Sequence, residues 1–133
     1  MFSQEFKPKN PNGVLRVLAI GRLSKAKKTE LQTQQTMDDS CKVAQNFMKR
    51  ITDLPLDITT FSEQISGLVY RRDTIDKVEA LIESGQIDVV ACEDIGRIYR
   101  NPRHQYAFVQ DVVDQKTVLI SVNDGLDTRD PAW

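Results

Sequence analysis

The sequence has 133 residues, of which 40% are hydrophobic and 28% are charged, as expected for one soluble globular domain. Its 18 basic and 19 acidic side chains leave a formal charge of −1, so the overall basic charge of many nucleic-acid binders is absent. No apolar run has the length of a membrane span, and residues 1–12 lack the apolar core of a secretory signal. Two cysteines and one histidine argue against a disulfide framework or a zinc site and favour a reducing, cytoplasmic setting.

The hydrophobic pattern predicts alternating strands and helices after a polar, flexible lead over residues 1–12. Short apolar or β-branched runs predict strands at 14–20, 56–61, 87–92 and 117–122, with a short edge strand within 126–133. Apolar residues at spacings of three and four predict helices at 30–51, 73–84 and 102–115. In the third helix we expect Tyr106, Val109 and Val113 to share the buried face. The order predicts a three-layer α/β/α sandwich with a mostly parallel sheet of four or five strands.

Arginines are concentrated where the first three predicted strands end. Residues 22–29 and 62–71 predict loops, and 94–101 predicts an irregular or short helical piece. Six of the nine arginines lie in these segments or at their junctions with helices: Arg22, Arg71, Arg72, Arg97, Arg100 and Arg103. A single exposed arginine is usually just a solvated charge. Ligands of open α/β sheets, however, bind beyond the carboxyl ends of the strands, so this clustering favours a binding site.

The expected ligand of this edge is a phosphodiester. Guanidinium groups bind phosphate oxygens in pairs and stabilise the extra charge of a pentacovalent phosphoryl transition state. The two hydroxyls nearest the strand ends belong to Ser24 and Ser66. We therefore expect four arginines around a serine: Arg22, Arg72, Arg97 and Arg100.

Other kinds of active site fit the sequence less well. There is no Gly-x-x-x-x-Gly-Lys-Ser/Thr loop and no Gly-x-Gly-x-x-Gly after the first strand. A Ser-His-Asp site would depend on His104, which we interpret as a surface residue. A receiver-type site would have acidic residues where the basic segment 22–28 stands.

Three motifs in order resemble those of the serine recombinases, the resolvase/invertase family. Ile20-Gly21-Arg22-Leu23-Ser24 resembles the Tyr-x-Arg-x-Ser signature. Glu63-x-x-Ser66-Gly67, with Arg72 six residues after Ser66, resembles an acidic-x-x-Ser-Gly-x5-Arg motif. Gly96-Arg97-Ile98-Tyr99-Arg100 resembles Asp-Arg-Leu-x-Arg, and residues 29–34 look like the Ser-Leu-x-x-Gln stretch that opens the first long helix. The resemblance covers roughly residues 14–128.

This resemblance implies Ser24 as the nucleophile that cleaves DNA through a covalent phosphoseryl link, with no metal or nucleotide cofactor. The four arginines named above would bind and polarise the scissile phosphate. Supporting roles at or near the site fall to Glu63, Ser66, Gly67, Gln34 and Asp94. Contacts to the DNA backbone, or solvated charges, are the alternatives for Arg71, Arg103, Lys25 and Lys28. The family's association with the nucleoid is implied as well.

The sequence also departs from the family pattern. Ile20 stands where the family usually has tyrosine, and Gly96 where it usually has aspartate, so Glu93 or Asp94 would substitute. We expect residues 13–133 to be a catalytic domain without the family's C-terminal DNA-binding region, which also carries much of the dimer and tetramer contact. The target site, and the choice among resolution, inversion, integration and transposition, stay open. The alternatives are an inactive DNA-binding or interaction module of this fold, or a flavodoxin-like anion binder.

Overall fold

The structure is a computed structural model that describes residues 6–25, 30–65, 71–99 and 101–130, with side chains for 6–21, 41–60, 76–96, 98–99 and 101–130. Its strands are β1 Leu15–Lys25, β2 Leu56–Ile65, β3 Val89–Cys92, β4 Val118–Ser121 and β5 Leu126–Asp127. Its helices are α1 Glu30–Ile51, α2 Arg71–Glu83 and α3 Pro102–Asp114, with a 3₁₀ turn at Ile95–Arg97. No helix in these ranges is both long and apolar enough to cross a membrane.

The five strands form one sheet in the order β2-β1-β3-β4-β5. β1 to β4 are mutually parallel, and β5 pairs antiparallel with β4. Helix α1 packs on one face of the sheet, and α2 and α3 pack on the other. The predicted three-layer sandwich with a mostly parallel sheet is confirmed.

The central strands are buried on both faces, which explains why the first strand reads as a continuous apolar run. Leu15, Val17 and Ala19 face α1 and its buried residues, whereas Leu18 and Ile20 face α2 and α3. All five side chains are fully buried. Burial of each leucine or isoleucine of this kind contributes roughly 1.5–3 kcal/mol, so this double-faced packing fixes the position of β1.

Two predicted loops are in part strands. β1 continues five residues past its predicted end at Ile20, and β2 continues past Phe61 to Ile65, because the two strands pair with each other beyond the apolar core. The loop predictions at 22–29 and 62–71 are therefore wrong for the residues nearest the core. Helix α2 also begins earlier than predicted, at Arg71.

The predicted face of the third helix is confirmed at Val109 and wrong at Tyr106. Tyr106 is 67% exposed, whereas Phe108, Val109 and Val112 are buried against the sheet. The two alternatives differ by about 100° around the helix axis, and the pattern is ambiguous because apolar residues occupy both stripes. The predicted start is confirmed: Asn101 caps the helix by accepting a hydrogen bond from the backbone N–H of Arg103 at 2.8 Å.

The N-terminal segment, expected as a flexible lead, packs on the domain from Phe6 onwards. The Phe6 ring is buried, and the guanidinium of Arg129 lies 3.8 Å from its centroid. Lys9 donates its backbone N–H to Asp88 Oδ1 at 2.8 Å and its ammonium to Thr117 Oγ1 at 2.8 Å. Burial lowers the pKa of Lys9, against the attraction of Asp88. These contacts all lie at the amino ends of β3 and β4.

Candidate functional site

The strand order creates a crevice at the carboxyl ends of β1 and β3. From β1 the chain crosses to β2 on one side, and from β2 it crosses back past β1 to β3 on the other side. Helices α1 and α2 therefore leave the sheet on opposite faces, and adjacent strands whose connections diverge in this way form the usual ligand site of an open α/β sheet. The last paired residues there are Ile20 and Cys92.

A β-bulge begins where β1 leaves this core. Ile20 pairs with Phe61 and Leu23 with Glu63, so Gly21 and Arg22 together face one residue of β2. Bulges are frequent beside active sites because they redirect the chain locally. Arg22 therefore stands in an irregular step of the backbone at the edge of the crevice.

Past the bulge, the paired strands bring predicted residues together. Ser24 pairs with Gln64 and Lys25 with Ile65, and Glu63 is the neighbour of Leu23. The backbone positions of Arg22, Ser24 and Glu63 are thus close together in one two-stranded extension, although Glu63 is about 40 residues from the other two in sequence.

The 3₁₀ turn that carries Arg97 lies at the same edge. It follows β3 after two residues and contacts β1 directly. Its first residue, Ile95, and the residue that follows it, Ile98, are buried in the core that also contains Ile20. The backbone of Arg97 is therefore held next to the strand that carries Arg22 and Ser24.

The other predicted residues are distributed around this edge or lie outside the described residues. Gln34 is in the second turn of α1, Arg71 and Arg72 open α2, and Arg103 is an exposed residue in the first turn of α3. Lys28, Ser66, Gly67 and Arg100 fall outside the described residues. Side chains outside the description are those of Arg22, Ser24, Lys25, Gln34, Glu63, Arg71, Arg72 and Arg97.

Asp94 places a carboxylate where a side chain on residue 96 would begin. A Cβ built on Gly96 would lie 3.2 Å from Asp94 Oδ1, closer than ordinary van der Waals contact between carbon and oxygen. The aspartate expected at position 96 from the family pattern is absent, but an aspartate oxygen from two residues upstream occupies the adjoining space. The sequence left Glu93 and Asp94 as the two candidates to replace the family's aspartate, and Asp94 is the one that makes this contact.

The turn between β4 and β5 supports the segment that leads to Arg97, and the sequence did not single it out. Asp124 Oδ2 accepts hydrogen bonds from the backbone N–H of Ile95 at 3.0 Å and from the hydroxyl of Ser121 at 2.5 Å. Val122 and Asn123 donate their backbone N–H groups to the carbonyls of Cys92 and Glu93. The available signal was Asn123-Asp124-Gly125, a turn sequence that directly follows a strand at the carboxyl edge of the sheet.

Cys92 is the last residue of β3 at this edge of the sheet, and its thiol has low reactivity. Its side chain is fully buried, and burial raises the pKa of the thiol to about 12, with a further upward contribution from the carboxylates of Asp124, Asp94 and Glu93. The thiol therefore stays protonated at neutral pH and is not a nucleophile. Among the described residues there is also no group of three His, Cys, Asp or Glu side chains that could hold a metal ion.

A five-stranded, mostly parallel sheet with a switch point between β1 and β3 defines the class of open α/β domains. A family model for the N-terminal domain of resolvases matches residues 17–132, and the chain therefore belongs to the resolvase family. No curated protein matched the sequence.

Two solved structures share the fold. The N-terminal catalytic domain of TP901-1 integrase superimposes with a TM-score of 0.69 at 19% identity, covering 88% of this chain and 85% of that one. A resolvase-family site-specific recombinase from Streptococcus pneumoniae superimposes with a TM-score of 0.63 at 17% identity, covering 87% and 77%.

Proposed function

We propose that this domain is the catalytic domain of a serine site-specific recombinase that cleaves and rejoins DNA. The observation that supports the proposal is the bulge directly after Ile20: Arg22 and Ser24 lie in the extension of the strand that the Arg97 turn contacts, at the switch point of the sheet. Membership of the resolvase family also supports the proposal. A serine hydroxyl close to several arginines is suited to phosphoryl transfer.

In the proposed reaction, Ser24 Oγ attacks the phosphorus of a DNA phosphodiester. The Oγ–P bond forms, the bond from phosphorus to the 3′ oxygen breaks, and the proton lost by the serine is balanced by the proton gained by the 3′ oxygen. The phosphoseryl link conserves the bond energy, so a 3′-hydroxyl from another strand can reverse the step. No cofactor is needed.

The cationic residues divide into two groups in this proposal. Arg22, Arg72, Arg97 and Arg100 bind the non-bridging oxygens and stabilise the pentacovalent transition state. Contacts to neighbouring phosphates come from Arg71, Arg103, Lys25 and Lys28. Gln34, Glu63, Ser66 and Gly67 shape and support the loops around them.

A trapping experiment tests the proposal. The complete gene product is incubated with a library of random DNA duplexes, stopped with detergent, and extracted so that only protein-linked DNA is recovered. We expect recovered DNA with a free 3′-hydroxyl at the break, and mass spectrometry of the digested adduct should place the nucleotide on the peptide that contains Ser24. Stable DNA binding with no adduct would instead support the inactive binding module.

We further propose that Asp94 supplies the carboxylate that the family pattern has at position 96, where it orients an arginine. Asp94→Ala should slow adduct formation by about tenfold, the usual scale for loss of a supporting residue. Because a side chain on residue 96 starts 3.2 Å from Asp94 Oδ1, the double variant Asp94→Ala/Gly96→Asp should recover most of the rate. The measurement is the initial rate of adduct formation.

Two control variants test whether the carboxylate can be moved from position 94 to position 96. Gly96→Asp alone should be slower than wild type, because it places two carboxylates together and like charges repel. Glu93→Gln should keep the wild-type rate. A double variant as slow as Asp94→Ala contradicts the exchange of positions, and a slow Glu93→Gln would assign the role to Glu93.

A further inference from the structure

The segment that carries Arg97 is anchored on both sides. On the apolar side, Ile95 and Ile98 are buried in the core. After the turn, Tyr99 donates its hydroxyl to Glu79 Oε1 on α2 at 3.1 Å and accepts a hydrogen bond at its carbonyl from Gln105 Nε2 on α3 at 2.8 Å. The chain on the C-terminal side of Arg97 is therefore fixed to both helices of that layer.

The N-terminal side of the same segment is fixed by the β4–β5 turn, residues 122–125. Val122 N–H donates to the Cys92 carbonyl at 3.0 Å and Asn123 N–H donates to the Glu93 carbonyl at 2.7 Å. These two bonds continue the pairing of β3 with β4 beyond the last residues of both strands. They direct the chain that leaves β3 along the turn towards Ile95.

Asp124 completes this arrangement with a side-chain bond. Its Oδ2 accepts the backbone N–H of Ile95, the first residue of the 3₁₀ turn. Initial N–H groups of a helical turn have no partner within the turn, so a carboxylate there both satisfies a donor and interacts with the positive end of the peptide dipoles. The hydroxyl of Ser121, itself buried, donates to the same oxygen and holds the carboxylate in place.

We infer that Asp124 is a positioning residue for phosphoryl transfer: it fixes the start of the 3₁₀ turn and thereby the place of Arg97 at the phosphate. The inference rests on the proposed recombinase function for its consequence, while the contact itself is a property of the fold. Asp124 acts through Arg97 and does not touch the DNA. Active-site groups held by a second layer of bonds lose activity when that layer is removed, since displacements near 1 Å slow catalysis strongly.

The test compares three substitutions and one control variant in the complete gene product. On saturating DNA, Asp124→Ala should slow adduct formation by about 10- to 100-fold while the dissociation constant for DNA stays unchanged. Asp124→Asn keeps an oxygen that can accept the Ile95 bond, so it should recover most of the rate. Ser121→Ala should give an intermediate loss, and Asp111→Ala, a carboxylate on the exposed side of α3, serves as the matched control.

A spectroscopic readout accompanies the rates. In the 133-residue chain, the amide hydrogen of Ile95 should exchange with solvent faster in Asp124→Ala, and at the wild-type rate in Asp124→Asn and Asp111→Ala. An Asp124→Ala protein with wild-type cleavage overturns the positioning role alone. A wild-type protein that forms no adduct overturns the proposed function and this role with it. Equal losses of rate in Asp124→Ala and Asp124→Asn contradict the role given to the hydrogen bond that Asp124 accepts from Ile95.

Discussion

Replacing Ser24 with alanine is expected to abolish the covalent protein–DNA product while leaving the fold and DNA binding intact. The hydroxyl is the atom that bonds to phosphorus in the proposed reaction, and removal of a nucleophile lowers turnover by roughly four orders of magnitude or more in enzymes of this kind of chemistry. Ser24 lies in the part of β1 beyond the bulge, and alanine removes only the hydroxyl group. The substitution should therefore cost little stability.

The matched control is Ser84→Ala, at the end of α2, where the hydroxyl is exposed and bonds only to the local backbone. Its adduct yield should equal that of the wild type. Rates are measured by gel separation of protein-linked DNA, and circular dichroism verifies the fold of both variants. An adduct that persists in Ser24→Ala would assign the nucleophile to another residue.

Replacing Asp88 with alanine is expected to lower the free energy of unfolding by about 3–5 kcal/mol, the scale for breaking a buried ion pair. Asp88 is only 4% exposed. Its carboxylate accepts the backbone N–H groups of Lys9 and Arg16, each at 2.8 Å, and its Oδ2 lies 3.6 Å from Arg16 Nε. Alanine leaves these donors without their acceptor and removes the counter-charge of a part-buried guanidinium.

Urea unfolding measures this loss, with Asp57→Ala as the control. Asp57 is an exposed carboxylate on β2, so its removal should change stability by no more than about 0.5 kcal/mol. Equal midpoints for the two variants would contradict the role given to Asp88. The edge proposed to bind phosphate is at the other end of the strands, so Asp88→Ala should keep the proposed activity at temperatures where it stays folded.

The fold follows from the sequence because its signals are local and repeated. The apolar run of β1 and the three-and-four spacing of α1 each predict one element, and both are confirmed at the residues that face the core, such as Leu18 and Met48. The order of the elements then leaves few topologies, since parallel crossovers are right-handed. Gly85, just after the end of α2, has the positive φ of 76° that a glycine helix cap adopts.

What the sequence did not predict depends on pairing between distant segments. Residues 22–25 are mostly polar, with two basic residues, a serine and a single leucine, so their strand character arises only because β2 pairs with them. The bond from Ile95 to Asp124 spans 29 residues, and the contact of Asp94 with the space beside Gly96 depends on how the chain turns after β3. No periodic pattern encodes these relations. The roles of Ser24 and the arginines remain proposals.

The bulge at Gly21 and Arg22 divides β1 into a first part that pairs with both neighbouring strands and a later part that pairs with β2. In the first part, Leu15, Val17 and Ala19 face one helical layer, and Leu18 and Ile20 face the other. Deleting Gly21 would leave the core contacts of residues 15–20 in place and let β1 and β2 pair one-to-one through this step, so Arg22 would become an ordinary strand residue. A single-residue deletion is thus a route by which such a domain can lose the irregular step at Arg22, and the activity proposed for it, and remain a folded protein.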